Sequence, residues 1–176
     1  MANPKLIKKH MVAVYVNSGD ASARKWVRIQ KAVEFSRSMN PETEERDYIA
    51  DEHPTTELMD YKPSEELSIT TYKGEEDFDL LYSLYKARAV GDDAKKEFML
   101  VYKFDSVDVT DSDTSTTTTY YYADLSEATL VLNEFNTSSS SLSATVYENG
   151  TSTAGYVVYD TTGEPTFTAG DMPSAS

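Results

Sequence analysis

Catalysis and metal binding need carboxylates, imidazoles, thiols or hydroxyls that converge, and this chain gathers such residues in few places. Asp51-Glu52-His53 is the nearest approach to a metal or general-base cluster. Three consecutive residues of a loop do not give the facing geometry that a metal ion or a proton relay requires. Asp105, Asp108, Asp111 and Asp113 follow at short spacing and invite a calcium reading. The glycine and terminal glutamate of a calcium-binding loop are missing, so the segment reads as a solvated loop. No serine sits in a Gly-x-Ser-x-Gly elbow, and neither a P-loop nor a Gly-x-Gly-x-x-Gly turn occurs. Cysteine is absent, which excludes disulfides, zinc thiolates and cysteine nucleophiles. The only histidines are His10 and His53. Asn136-Thr137-Ser138 and Asn149-Gly150-Thr151 match the glycosylation sequon, which matters only in a secreted chain. No catalytic residue, cofactor or metal is expected, and a structural role is a better reading than an enzyme.

The elements that would position any functional surface are clearest between Glu65 and Phe104. From Glu65 to Lys73, Leu67, Ile69 and Thr71 alternate against Glu66, Ser68 and Thr70, the period-two pattern of a strand with one buried face. Gly74 breaks it. Over about 75–89 the period becomes helical, with Phe78, Leu81, Tyr82, Tyr85 and Ala89 on one stripe. Glu75, Glu76 and Asp77 suit the first turn and Lys86 and Arg88 the last, with Gly91 available to close the helix. Phe98, Leu100, Tyr102 and Phe104 then predict a second strand. Leu80, Leu84 and Ala87 fall opposite the Phe78 stripe, where a helix lying on a sheet should be polar. Either a long loop of the same chain covers them or a neighbouring subunit does.

At 176 residues the chain fits one domain with a sizeable core. No apolar run approaches a membrane span, and the N-terminus lacks the apolar stretch of a signal peptide, so synthesis in a cytoplasm is expected. The net charge of −14 argues against a nucleic-acid reader. Residues 1–40 carry eight Lys or Arg against two acids, whereas residues 41–176 carry eight against 28, and no Lys or Arg follows Lys103. A chain so polarised favours head-to-tail association with copies of itself, although acidity also serves solubility alone. Thirteen tyrosines, many threonines and a single helical segment point to a mainly β protein.

In chain order, residues 1–10 read as a basic arm containing Lys5, Lys8 and Lys9, followed by the apolar run Met11 to Val16 and a turn at Asn17 to Asp20. Trp26 to Phe35 is the next strand, with Val27, Ile29, Val33 and Phe35 buried and Lys31 at a rim or interface. Residues 41–63 form a long acidic segment with Pro41, Pro54 and Pro63. Its Tyr48, Ile49, Leu58, Met59 and Tyr61 suit a protruding arm or hairpin that reaches a neighbour, with Glu42, Glu44 and Glu45 as its charges. Residues 105–119 read as a surface loop, and 120–135 carry two short apolar runs. Leu142 to Val146 and Ala154 to Tyr159 are read as a hairpin around Asn149-Gly150. A short strand at Thr166 to Ala169 precedes a frayed tail, 171–176.

The order of these features resembles the tail tube proteins (major tail proteins) of tailed bacteriophages and phage-tail-like particles. The resemblance lies in Trp26-Val27-Arg28-Ile29 leading to an Asn-Pro, in Arg46-Asp47-Tyr48-Ile49-Ala50-Asp51 within an acidic arm, and in Leu58-Met59-Asp60-Tyr61-Lys62-Pro63-Ser64 before the strand ahead of Gly74. It extends through the single helix, the Asn149-Gly150 region and Thr166-Phe167-Thr168, and covers about residues 10–170. The loop 105–119 lies outside it.

The resemblance implies two packed antiparallel sheets, as a sandwich or barrel, flanked by one helix and extended arms. It implies hexameric rings stacked into a hollow tube with a negative lumen, through which DNA passes without specific binding and which earlier holds the tape-measure protein. Terminator and baseplate proteins are the further partners it implies, in a virion assembled in a bacterial cytoplasm. The inter-subunit residues expected on this reading are Leu80, Leu84, Ala87, Lys5, Lys8, Lys9, Glu42, Glu44, Glu45, Tyr48, Ile49, Leu58 and Met59. The competing reading is a monomeric β-sandwich that binds a carbohydrate or protein ligand through Tyr72, Tyr82, Tyr85, Tyr120, Tyr121 and Tyr122.

Overall fold

Alternating apolar and polar residues, rich in Val, Thr and Tyr, give ten strands and one α-helix among the described residues. A computed structural model describes residues 4–49, 52–111 and 115–174. The strands are β1 (Val12–Asn17), β2 (Trp26–Arg28), β3 (Ala32–Ser38), β4 (Pro41–Arg46), β5 (Thr55–Tyr61) and β6 (Ser64–Thr70). After helix α1 (Glu76–Ala87) come β7 (Lys95–Asp111), β8 (Thr116–Asn136), β9 (Ser141–Tyr159) and β10 (Pro165–Ala169). Every pairing is antiparallel. Eight strands form one sheet in the order β2-β1-β7-β8-β9-β6-β3, with β10 on β9, while β4 and β5 pair only with each other.

That order forces the large sheet to curl. Consecutive strands β2 and β3 occupy its two opposite ends, yet only Ile29, Gln30 and Lys31 join them. Four peptide steps reach at most about 14 Å, so the two edges meet across a narrow seam and the sheet is nearly a closed barrel. The interior holds Val14, Val16, Ile69, Leu81, Phe98, Leu100, Leu130 and Leu142 with α1 packed against them. A second apolar cluster, Ala13, Tyr15, Trp26, Met99, Val101, Ala123 and Val157, covers the other face of the same strands. Burial on both faces explains why Met11 to Val16 reads as an unbroken apolar run.

Several sequence expectations are corrected by this architecture. Trp26 to Phe35 is two strands, because the chain crosses the seam at Ile29 to Lys31. Val33 is 54% exposed, since a register shift between Ala32 and Glu34 turns it outward. Asn149-Gly150 is not a hairpin turn. β9 runs through it, because the stretches on either side both pair with β8, and Gly150 (φ +70°) sits where the register shifts between Leu125 and Glu127. The chain reverses instead at the serine run between Asn136 and Ser141. The supposed surface loop 105–119 is strand on both sides, with Ser106 to Asp111 paired to Thr116 to Tyr121, and Phe104 beside it is exposed.

The helix is rotated from its expected face. Its buried residues are Asp77, Phe78, Leu81 and Leu84, about 70° round the axis from the predicted stripe at 100° per residue. Leu84 is only 8% exposed, within the barrel core, and Leu80 packs against that core half-buried. The chain itself therefore covers Leu84 and most of Leu80, leaving only Ala87 of that trio exposed. Asp77 supplies the physical reason. Its Oδ2 accepts the backbone N–H groups of Gln30 at 2.9 Å and Lys31 at 3.0 Å, so the first turn of α1 is tied to the seam crossover. Tyr82 and Tyr85, displaced toward solvent, stack on each other, Tyr82 also stacks on Phe78, and Phe135 packs tilted against both tyrosines. Arg88, in the left-handed region at φ +50°, caps the helix in place of Gly91, which begins a 3-10 turn.

Candidate functional site: assembly surfaces and a buried charge cluster

Hairpin β4–β5 is the part of the described chain with least internal support. Every residue of β5 and all of β4 except Arg46 are exposed on both faces. Asn40 holds the root: its Nδ2 donates to the Lys62 carbonyl at 3.0 Å and to Ser64 Oγ at 2.8 Å, and Asn40 takes the left-handed conformation. Residues 41–49 and 52–63 thus belong to a protruding hairpin, with Tyr48, Ile49, Leu58 and Met59 out in solvent and Ile49 fully so. Two-stranded ribbons of this kind are marginal on their own in water.

Cross-strand register separates its two faces. Glu44 lies opposite Glu57, and Arg46 reaches both at 3.2 Å, which offsets one of their two negative charges. Thr43 pairs with Leu58 and Glu45 with Thr56 on the other side. Among the described residues no cation lies within ion-pair distance of Glu45, whereas Glu42 is held by Lys62 at 2.6 Å.

The basic N-terminal segment ends in a 3-10 turn, Lys9–Met11, beside the barrel seam. Lys9 Nζ donates to the Val33 carbonyl at 3.0 Å, and Lys5, Lys8 and Lys9 are all exposed. Of the residues singled out for chemistry, Asp51 and Asp113 lie outside the described residues. Glu52 and His53 are exposed, and Thr119 Oγ1 donates to Asp108 Oδ1 at 2.7 Å within the β7–β8 hairpin. Among the described residues no three His, Asp or Glu side chains are grouped to hold a metal ion. No described helix is long and apolar enough to cross a membrane.

One cluster escaped the sequence reading. Arg37, on β3, donates through Nη1 to Tyr102 Oη at 2.6 Å and to Asp124 Oδ2 at 3.3 Å, and through Nη2 to Glu148 Oε1 at 2.8 Å. Its Nε lies 3.2 Å from Glu65 Oε1 without the alignment of a hydrogen bond. Tyr122 Oη donates to Asp124 Oδ1 at 2.8 Å. One guanidinium thus ties together β3, β6, β7, β8 and β9. Three carboxylates face that single cation, and Glu65 is completely buried with neither carboxyl oxygen hydrogen-bonded. Burial, and then the adjacent Glu148 carboxyl, push the Glu65 pKa up to about 8 against the pull of Arg37. Burial and the bond to Asp124 push the Tyr122 phenol up to about 12. The signal that could have found this cluster is Glu65 itself, which shares the phase of Leu67 and Ile69 and so belongs to the buried face.

No family model matches the chain, and no curated protein matches it in sequence. Solved structures do match. A chain in the cryo-EM structure of the anti-feeding prophage tube terminating cap is 16% identical, covering 88% of this chain and 93% of that one, with a TM-score of 0.50. A chain in the sheath/tube terminator structure of an extracellular contractile injection system (PVC), in its extended state, is 12% identical over 87% and 99%, with a TM-score of 0.51. At these identities the likeness is one of fold: mainly β, antiparallel and single-helix, as in phage-tail-like tube and terminator proteins.

Proposed function

We propose that this chain is a structural subunit of a phage or phage-tail-like particle, assembling as hexameric rings that stack into the hollow tail tube. The observation that carries the reading is the tail-tube-like fold combined with a hairpin that projects from it unsupported on either face. The hairpin and the basic N-terminal segment serve as inter-ring contacts. Acidic side chains, in excess by 20 charges beyond residue 40, line a lumen that repels phosphate, so that DNA slides without sticking. Tape-measure, terminator and baseplate proteins are the further partners, and assembly takes place in the bacterial cytoplasm before the subunit joins the particle.

A second reading, a terminator closing the end of a tube, is supported by two likenesses, with TM-scores of 0.50 and 0.51, to chains in terminator structures. Size-exclusion chromatography with negative-stain imaging of concentrated protein separates the possibilities. Tubes support the tube subunit, single rings that never stack support the terminator, and a compact 19.6 kDa monomer supports a binding module instead.

A further inference from the structure

The sheet face that carries the second apolar cluster opens into a cleft of about 420 Å³, between edge strand β2 and the turn joining β9 to β10. Arg28 enters it from β2, opposite Tyr15, and Lys103 from β7, two residues beyond Val101 on the same face. Asp160 holds the turn on the far side, its Oδ1 accepting the backbone N–H groups of Thr162 at 2.8 Å and Glu164 at 2.9 Å.

Three donors meet there with their hydrogens unspent. Neither Arg28 nor Lys103 makes an ion pair among the described residues, in a chain whose net charge is −14. Burial, and then the nearby Arg28 charge, hold the Lys103 pKa below the usual lysine value. Lys103 Nζ lies 5.0 Å from the centre of the Tyr159 ring. The Tyr15 hydroxyl donates to Tyr159 Oη at 3.2 Å, which leaves the Tyr159 hydrogen with no acceptor among the described residues. Burial, and then the bond to Tyr15, push the Tyr159 phenol up, so that hydrogen stays in place at neutral pH.

We infer that this cleft is a binding site for a compact oxyanion of the phosphate class, held by Arg28, Lys103 and the Tyr159 hydroxyl. Two neighbouring cations repel each other until an anion lies between them. A phosphate group carries about two negative charges and about three strong acceptor oxygens near neutral pH, which matches two cations and a hydroxyl. A carboxylate has one charge and two oxygens, and leaves part of the site unsatisfied. The rim carboxylates do not fill the place. Glu76 and Glu164 are exposed, Glu76 is engaged by Lys25 at 3.6 Å, and neither lies within ion-pair distance of Arg28 or Lys103. At the rim of an acidic chain they repel an extended polyanion more than a single small ion. The site stands apart from the tube reading and needs no second copy of the chain.

Thermal unfolding tests the assignment. The melting temperature in sodium phosphate is compared with that in sodium chloride, at matched ionic strength and pH, for the wild-type chain and for Arg28→Gln, Lys103→Met and Tyr159→Phe. An ion bound with a Kd of about 1 mM raises the wild-type midpoint by about 3 °C or more at about 10 mM phosphate. Arg28→Gln and Lys103→Met are expected to lose that increment, and Tyr159→Phe, which keeps the ring, to lose about half of it. Each variant is its own reference, so a change in its basal stability does not enter. A wild-type midpoint that is the same in phosphate and chloride, or an increment that the Arg28 and Lys103 variants retain, overturns the assignment. An equal increment with acetate assigns the two cations to a carboxylate, and a larger one with duplex DNA at the same phosphate concentration assigns them to nucleic acid. Either result also overturns the compact ion. Whether rings or tubes form is read separately by imaging and does not depend on any of these outcomes.

Discussion

Arg37 brings one positive charge into a site shared by Glu65, Glu148 and Asp124, and a proton held by Glu65 relieves part of the remaining negative charge. The Glu65 carboxyl titrates near 8 in the folded chain against 4.5 for a free glutamate, so between those values the folded state binds one more proton than the unfolded state. Its stabilising contribution is therefore fully present below about pH 4.5 and is lost as pH rises through about 8. We expect the stability difference between wild type and Glu65→Gln to fall by about 1.4 kcal/mol per pH unit across that window, measured by denaturant unfolding. A difference independent of pH would mean that Glu65 is already ionised at neutrality. Glu65 was legible in the sequence, since it lies two residues before Leu67 on the same face. Its partners were not, because Arg37, Tyr102, Asp124 and Glu148 come from four other strands and meet only when the sheet curls.

At the scale of elements, the helix shows how one polar contact overrides an apolar stripe. Asp77 is 2% exposed because it holds the amides of Gln30 and Lys31, and that anchor turns Leu84 inward and Tyr82 and Tyr85 outward. Replacing Asp77 with Ala leaves two amides at the seam without an acceptor and should cost about 1–3 kcal/mol, read as a lowered denaturation midpoint. A loss below about 0.5 kcal/mol would show that the crossover does not depend on the helix. The hairpin behaves in the opposite way. Because β4 and β5 pair only with each other and bury almost nothing, replacing residues 42–60 with a short Gly-Ser linker should leave the melting temperature of the monomer nearly unchanged and abolish higher assembly. Assembly that survives the excision would remove the hairpin from the inter-ring contact. The hairpin was visible in the sequence as an acidic, proline-bounded segment with stranded hydrophobics. The Asn149-Gly150 strand bend was misread as a turn because a positive φ serves a bulge as readily as a hairpin.

At the scale of the whole molecule, charge is divided along the chain: +6 over residues 1–40 and −20 over the rest. If complementary poles drive stacking, raising ionic strength should weaken it, since the screening length shrinks from about 10 Å at 0.1 M to about 3 Å at 1 M salt. Association that strengthens with salt, followed by sedimentation, would point to apolar burial as the main driving force and demote the charges to a steering role.

The amino-acid order determined the mainly β character, the single helix, the acidic hairpin and the polarity of charge, because each rests on local periodicity or composition. Tertiary structure decided what depends on residues far apart in sequence. Curling of the sheet brought β2 and β3 together at the seam, split one predicted strand in two, set the rotation of α1 through Asp77, and gathered five strands around Arg37. A period of two or of 3.6 says which side chains share a face, but the identity of what lies against that face is fixed only by closure of the barrel.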